Sequence, residues 1–416
     1  MRRPSKNTAH KLSSDSQRLA TLAQAIIQAS SRLEERHWER QLDFLLRKLL
    51  KAHHQDVIDA ALDHLFKLES AAYDALMECA EAASESSQIE QDGIFYDALL
   101  IAMPILAWTR FSIASGAIPA EMVTTLSAHL QAHMLATETK MAMMPNLFSI
   151  DQLPRSHAET FSLTQKMAQA ALKGSVLKQV AHQPETAPFL ADTRYLLAVV
   201  TTVAGEPLFR WQISANLQER DEALAQWNTQ AMPNIARLLP GCGIELLLPE
   251  AYFVACREGD KQIRPASIRA AVHYLTYTLN VEASDLQAII GSFGEESADG
   301  RVDEYRISFA STENMHVAYG IVWPLYGQED DEELQYRTVE VPDNPVISAD
   351  VERKSPIEEI LALLEECGVT NVKRHAEVFA MEVCDDCGAP LFPDMDAELT
   401  HAEMPDDAPT GSTHLH

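Results

Sequence analysis

Gln183-Pro184-Glu185-Thr186-Ala187-Pro188-Phe189-Leu190-Ala191-Asp192-Thr193-Arg194-Tyr195-Leu196-Leu197-Ala198-Val199-Val200-Thr201-Thr202-Val203 is the stretch on which the fold turns. Pro184 and Pro188 interrupt any helix that reaches them, and the Val, Leu, Thr and Tyr residues from Arg194 onward have the composition of a strand. Ala204-Gly205 follows as a turn, so 194–203 and 206–213 read as two arms of a hairpin. Residues 183–188 are therefore the best linker candidate, with helix before and sheet after.

Upstream, apolar residues recur at helical spacing. Leu19, Leu22, Ala23, Ile26 and Ile27 share one face behind a Ser13 or Ser14 cap, and Leu33, Trp38, Leu42, Leu45, Leu46 and Leu49 share another. The pattern continues through Val57, Ile58, Ala61, Leu62 and Leu65, and the Ser84 to Ser87 loop breaks it. Further helices are expected over 92–115, 119–144 and 155–180. The most apolar run, 98–117, carries Arg110, Pro104 and Gly116, so it reads as a buried helix and not as a membrane span.

Downstream, a helix fits 217–238, ended by Pro240-Gly241-Cys242-Gly243, and strands fit 244–248 and 252–255. Arg264-Pro265-Ala266 opens another helix, with Pro suited to a first turn. Alternating strands follow over 302–310 and 315–323. Ser355-Pro356-Ile357-Glu358 starts a helix that Gly368 closes, and 369–383 returns as a strand. The fold class is α+β: a helical N-terminal bundle or array, then a mixed α/β sheet domain with a C-terminal Cys-x-x-Cys zinc-knuckle-like turn. The expected units are a flexible basic N-terminus at 1–12, an all-helical domain at 13–182, a sheet domain at 189–383, and a knuckle-like hairpin with an acidic tail at 384–416.

The 416 residues are 46% hydrophobic and 23% charged, the balance of a globular chain. The basic start Met1-Arg2-Arg3-Pro4-Ser5-Lys6 lacks the apolar run of a secretory signal, so a cytoplasmic protein is expected. Six cysteines in such a chain are free or bind metal. The net charge of −28 is uneven: residues 1–60 hold 11 Lys and Arg against 7 Asp and Glu, while residues 327–416 hold 5 against 23. Such acidity disfavours nucleic acid except at the basic N-terminus, where RNA or ribosome contact is a third reading.

Cys384-Asp385-Asp386-Cys387-Gly388 places two thiols at the ends of a tight turn, half of a tetrahedral zinc site, and Gly388 permits the positive φ the turn needs. A redox pair would open a helix, whereas Ala389-Pro390-Leu391-Phe392-Pro393 follows here. A hairpin turning near Met395, with paired residue numbers summing to about 790, returns His401 opposite Ala389 as third ligand. Glu403, His414, His416 or water completes the set. The expected metal is structural zinc on Cys384, Cys387 and His401. His375 reads as a strand histidine. His375-Ala376-Glu377 before Cys384-x-x-Cys387 imitates a zinc-deaminase signature, but too few residues separate the halves for two converging helices.

No phosphate-binding loop, H-E-x-x-H or G-x-S-x-G occurs. The first reading is thus a binding or regulatory protein with a protein partner. The alternative is a small-molecule enzyme or sensor with a pocket around Cys256, Arg264, Arg269 and His273, whose spacing also suits a solvated edge with one core histidine. Taken together, Pro240-Gly241-Cys242-Gly243-Ile244-Glu245-Leu246-Leu247-Leu248-Pro249, Ile263-Arg264-Pro265-Ala266-Ser267-Ile268-Arg269, Trp323-Pro324-Leu325-Tyr326-Gly327 and Cys384-Asp385-Asp386-Cys387-Gly388-Ala389-Pro390-Leu391-Phe392 resemble an uncharacterised β-proteobacterial family defined only as a domain of unknown function. The resemblance covers most of the chain and implies a bacterial cytoplasmic setting. It transfers no catalytic residue.

Overall fold

A computed structural model describes residues 12–180, 189–214, 216–295, 301–311, 316–326, 329, 355–385 and 388–403. The 183–188 linker, the basic segment 1–11, Cys387 and the tail 404–416 lie outside them.

Four helices open the chain: α1 (Ser14–Ile27), α2 (Arg32–Lys51), α3 (Gln55–Phe66) and α4 (Ser70–Glu85). Ser13 caps α1 as expected, accepting from the Ser16 N–H at 3.0 Å, and Ser31 caps α2. Leu42, Leu45, Leu46, Leu49 and Leu50 of α2 bury against α1, α3 and α4 to form one core, closed by Ala158 and Phe161, whereas Leu33, expected on the same face, is exposed in the first turn.

The chain then departs from the expected helix over 92–115. Residues 86–108 are a hairpin of β1 (Ser86–Gln91) and β2 (Ile94–Trp108), turned by Asp92-Gly93, both at positive φ. Such a two-residue turn matches the twist of the flanking strands. Strand β2 pairs with β6 (Ala191–Val203) over Tyr96↔Val203 to Trp108↔Ala191, at the centre of an antiparallel sheet. Between them in sequence come β3 (Gly116–Ala117), α5 (Ala120–His133), β4 (Lys140–Met143), β5 (Asn146–Ser149) and α6 (His157–Lys173). The 119–144 expectation thus holds only for α5. Sheet lies on both sides of 183–188, so the N-terminal half is not all helix.

Both faces of this sheet are covered. Ile101, Met103, Ile105 and Ala107 face α5 and α8 (Leu217–Leu238), and Ala98, Leu100 and Ala102 face α6 and the start of α9 (Tyr252–Leu279). A strand buried on both faces shows no period of two, which is why β2 reads as a helix. The 206–213 arm is also not strand. Gln212 Oε1 accepts from the Leu208 and Phe209 N–H groups, both at 2.9 Å, and starts the short α7 (Arg210–Ser214). Strands β7 (Gly243–Leu246) and β8 (Glu250–Ala251) pair with β2, but 252–255 begins α9, which runs through Pro265.

The second sheet has the order β11-β10-β9-β12, from β9 (Leu286–Phe293), β10 (Glu304–Ser311), β11 (Val317–Pro324) and β12 (Asn371–Phe379). Strand β12 runs parallel to β9 through α10 (Pro356–Glu366), which Ser355 caps as expected, with the Glu358 side chain accepting in return from the Ser355 N–H. Gly368 follows at φ +83°. The C-terminal half of α9 and α10 cover one face. A hairpin of β13 (Phe392–Pro393) and β14 (Leu399–Thr400) covers the other, with the Phe392 ring so close over Gly320 that an added Cβ would lie 2.4 Å from it.

Candidate functional site

The Cys384 turn is built as its sequence requires. The Gly388 N–H donates to the Cys384 carbonyl at 2.8 Å, the Cys384 N–H donates to the Ala389 carbonyl at 2.7 Å, and Gly388 sits at φ +73°. Buried polar groups fasten the turn and its hairpin to the sheet. Arg306, only 2% exposed, donates from Nη1 to the Glu382 and Leu391 carbonyls at 2.7 and 2.6 Å, and its Nε donates to Glu304 at 2.6 Å. Its guanidinium lies 4.2 Å from the Phe293 ring centre. His375 is a buried strand residue of β12, as expected, donating from Nε2 to the Asp394 carbonyl at 2.8 Å.

The hairpin register differs from the expectation. Phe392 pairs with Thr400 and Pro393 with Leu399, so paired numbers sum to 792 and His401 falls opposite Leu391, not Ala389. Leu391 in turn donates to the Glu382 carbonyl, and Val383 bridges Pro390. Glu403, which this register carries toward Ala389, donates its N–H to Val317 at 3.0 Å. Among the described residues no group of three or more His, Cys, Asp or Glu forms a metal site.

The four residues of the alternative pocket are not brought together. Arg269 pairs with Glu366 at the surface and His273 is exposed. Half-buried Cys256 and buried Arg264 lie two turns apart on α9, and between them lies Asp260, which the sequence reading missed. Its carboxylate accepts from Tyr326 Oη at 2.6 Å and Tyr195 Oη at 3.3 Å. Burial raises its pKa against the lowering effect of those hydroxyls. Burial also pushes the Cys256 thiol and the Tyr195, Tyr252 and Tyr326 phenols upward, so all four stay protonated at neutral pH. A thiol held in that form is a poor nucleophile. Tyr195 belongs to the first sheet and Tyr326 follows β11, an end strand of the second, so Asp260 fastens both to α9. The i, i+4 spacing of Cys256, Asp260 and Arg264 was the available signal.

Nearer the α9 N-terminus, Arg257 holds Glu81 of α4 through two 2.7 Å bonds, and the Phe253 N–H donates to Glu85 at 2.9 Å. Burial raises the Glu85 carboxyl to about 7.

A groove opens elsewhere, between α2 and the β1–β2 hairpin. One lobe of about 790 Å³ is lined by Glu39, Arg40, Asp43, Phe44, Arg47, Lys48 and Lys51. The adjoining lobe, about 660 Å³, shares Asp43, Arg47 and Lys51 and adds Ser87, Phe95, Asp97 and the buried Phe161. Phe44 is 72% exposed and Phe95 52%. Arg47 is tied down, to Asp43 at 2.8 Å and the Ser86 carbonyl at 3.1 Å.

The described structure defines an α+β protein with no helix, among the described residues, long and apolar enough to cross a membrane. The chain matches, over residues 4–415, the family described as protein of unknown function (DUF2863), and it belongs to that family. No curated protein and no solved structure matches it.

Proposed function

We propose that this protein is a cytoplasmic, non-enzymatic binding or regulatory protein of β-proteobacterial origin, whose helical half receives a protein partner while zinc on Cys384, Cys387 and His401 pins the end of the second sheet. The observation that carries the binding reading is the groove beside α2, where two large aromatic side chains, Phe44 and Phe95, stand in solvent beside a cationic helix face. Exposed apolar surface rimmed by charge is the ordinary mark of an interaction site. The zinc reading rests on the closed turn at Cys384 and on the returning hairpin.

The binding reading is tested with a photo-crosslinking phenylalanine analogue at position 44 in living cells. It expects one discrete adduct, reproduced with the purified partner and absent when the analogue stands at exposed Val176. Equal labelling at both positions would remove the reading. Zinc is tested separately by metal analysis of protein purified without a His tag, where about one equivalent is expected and less than about half an equivalent would sink the idea.

A further inference from the structure

We infer that the groove between α2 and the β1–β2 hairpin binds an acidic peptide segment of another protein, one that carries an aromatic or large aliphatic anchor. The inference rests on the binding reading above and adds the chemistry of the partner.

Its basis is the outer face of α2. Arg40, Phe44, Lys48 and Lys51 follow at intervals of four, four and three residues, so they form one stripe, all exposed. Leu42, Leu45, Leu46 and Leu49 turn the other way into the core. Arg40 and Lys51 make no ion pair among the described residues, and Lys48 has only Asp15 at 3.9 Å. Helix α2 carries six Arg and Lys against four Asp and Glu, in a chain whose net charge is −28. An acidic ligand is repelled by most of such a surface and attracted here. Complementarity of this kind sets which partner docks and in what register. Phe44 lines one lobe, and Phe95 and the buried Phe161 line the lobe that adjoins it, so an apolar anchor has a seat.

A nucleic acid is also anionic, but the groove does not suit one. Glu39, Asp43 and Asp97 line it and repel a phosphate at every nucleotide, whereas a peptide can space its own carboxylates toward Arg40, Lys48 and Lys51 and bring backbone N–H donors to the groove's own. Strand β1 forms the edge of the first sheet, pairing among the described strands only with β2. Backbone groups on such an edge can be used by an extended peptide and not by a phosphate chain.

The test measures fluorescence anisotropy of the full-length protein with three labelled probes: a 12-residue Asp/Glu peptide with one Trp and one Leu, its Lys/Arg counterpart, and a 12-nucleotide single-stranded RNA. The acidic peptide is expected to bind, about tenfold more weakly in Arg40→Glu/Lys51→Glu, with Phe44→Ala also weakened and the remote surface change Lys178→Glu without effect. Circular dichroism and melting of each variant separate lost binding from lost folding. Failure of the acidic peptide to bind, binding unchanged by Arg40→Glu/Lys51→Glu, or tighter binding of the RNA would overturn the inference. So would concentration-dependent self-association abolished by that double change, which would make a second copy the occupant. Crosslinks at position 44 that persist in Arg40→Glu/Lys51→Glu would leave the binding reading standing and remove only the acidic partner.

Discussion

The two sheets of this protein solve the same problem in different ways. The first is covered on both faces by helices, and its central strand β2 is apolar almost throughout. Among the described residues, the second has helices on one face, and a short C-terminal hairpin closes the other through buried polar groups, Arg306, Ser308 and His375. A helix-covered face is held by area removed from water, which is non-directional. A face closed by so short a hairpin has little area to bury, so directed hydrogen bonds from a few buried side chains must fix it. The first arrangement tolerates small changes of shape, and the second depends on individual groups.

The largest effect expected from this contrast is a charge placed in the doubly covered strand. Ile101→Asp should cost about 5 kcal/mol or more, since no described partner awaits the carboxylate. Val378→Asp in β12, where the side chain is exposed, should stay within about 0.5 kcal/mol. Equal effects in urea denaturation would erase the distinction between the two sheets.

Next in size is Arg306→Ala. It removes donors from the Glu382 and Leu391 carbonyls and leaves the Glu304 carboxylate without its cation, an expected loss of about 3 to 5 kcal/mol. Hydrogen exchange should show residues 382–401 deprotected before the rest of the second sheet. Uniform loss of protection across both sheets would contradict a local clasp.

The smallest is a pH effect where α4 meets α9. Burial lifts Glu85 from 4.5 to about 7, with Glu81 raising it further and the Phe253 N–H and Arg257 opposing. The folded state therefore keeps a proton that the unfolded chain has released, and stability falls as pH rises from about 4.5 to 7, levelling off above. Glu85→Gln should remove that slope, about 1 to 2 kcal/mol once partial exposure is allowed for. A melting profile with the same slope in wild type and variant would assign the proton elsewhere.

The second sheet was the more legible. Strands β10 and β11 were expected from their sequence, and the Ser355-Pro356 start and Gly368 stop of α10 are local signals that need no tertiary contact. The hairpin at 392–400 was anticipated, and its register missed by two, because the turn chemistry at Asp394 lengthens the loop: Asp394 Oδ1 accepts from both Asp396 and Glu398 at 2.9 Å. In the first sheet, burial on both faces erased the period of β2, and Leu- and Ala-rich composition suggested helix. Asp92-Gly93 was the one local sign of a hairpin there. The Asp260 cluster joins residues 195, 260 and 326, a separation no local pattern records.

What the sequence determined by itself was the set of locally signalled elements: the capped helices, the glycine-ended turns, the alternating strands and the Cys384 turn. These depend on backbone conformation and on neighbours a few residues apart, so the chain carries them wherever it goes. Tertiary structure decided that 94–108 is a strand, that α9 serves both sheets, and that the outer face of α2 borders a groove. Each of those depends on what lies across a face from distant parts of the chain, and burial on a second face removes the alternation by which a sequence announces the first.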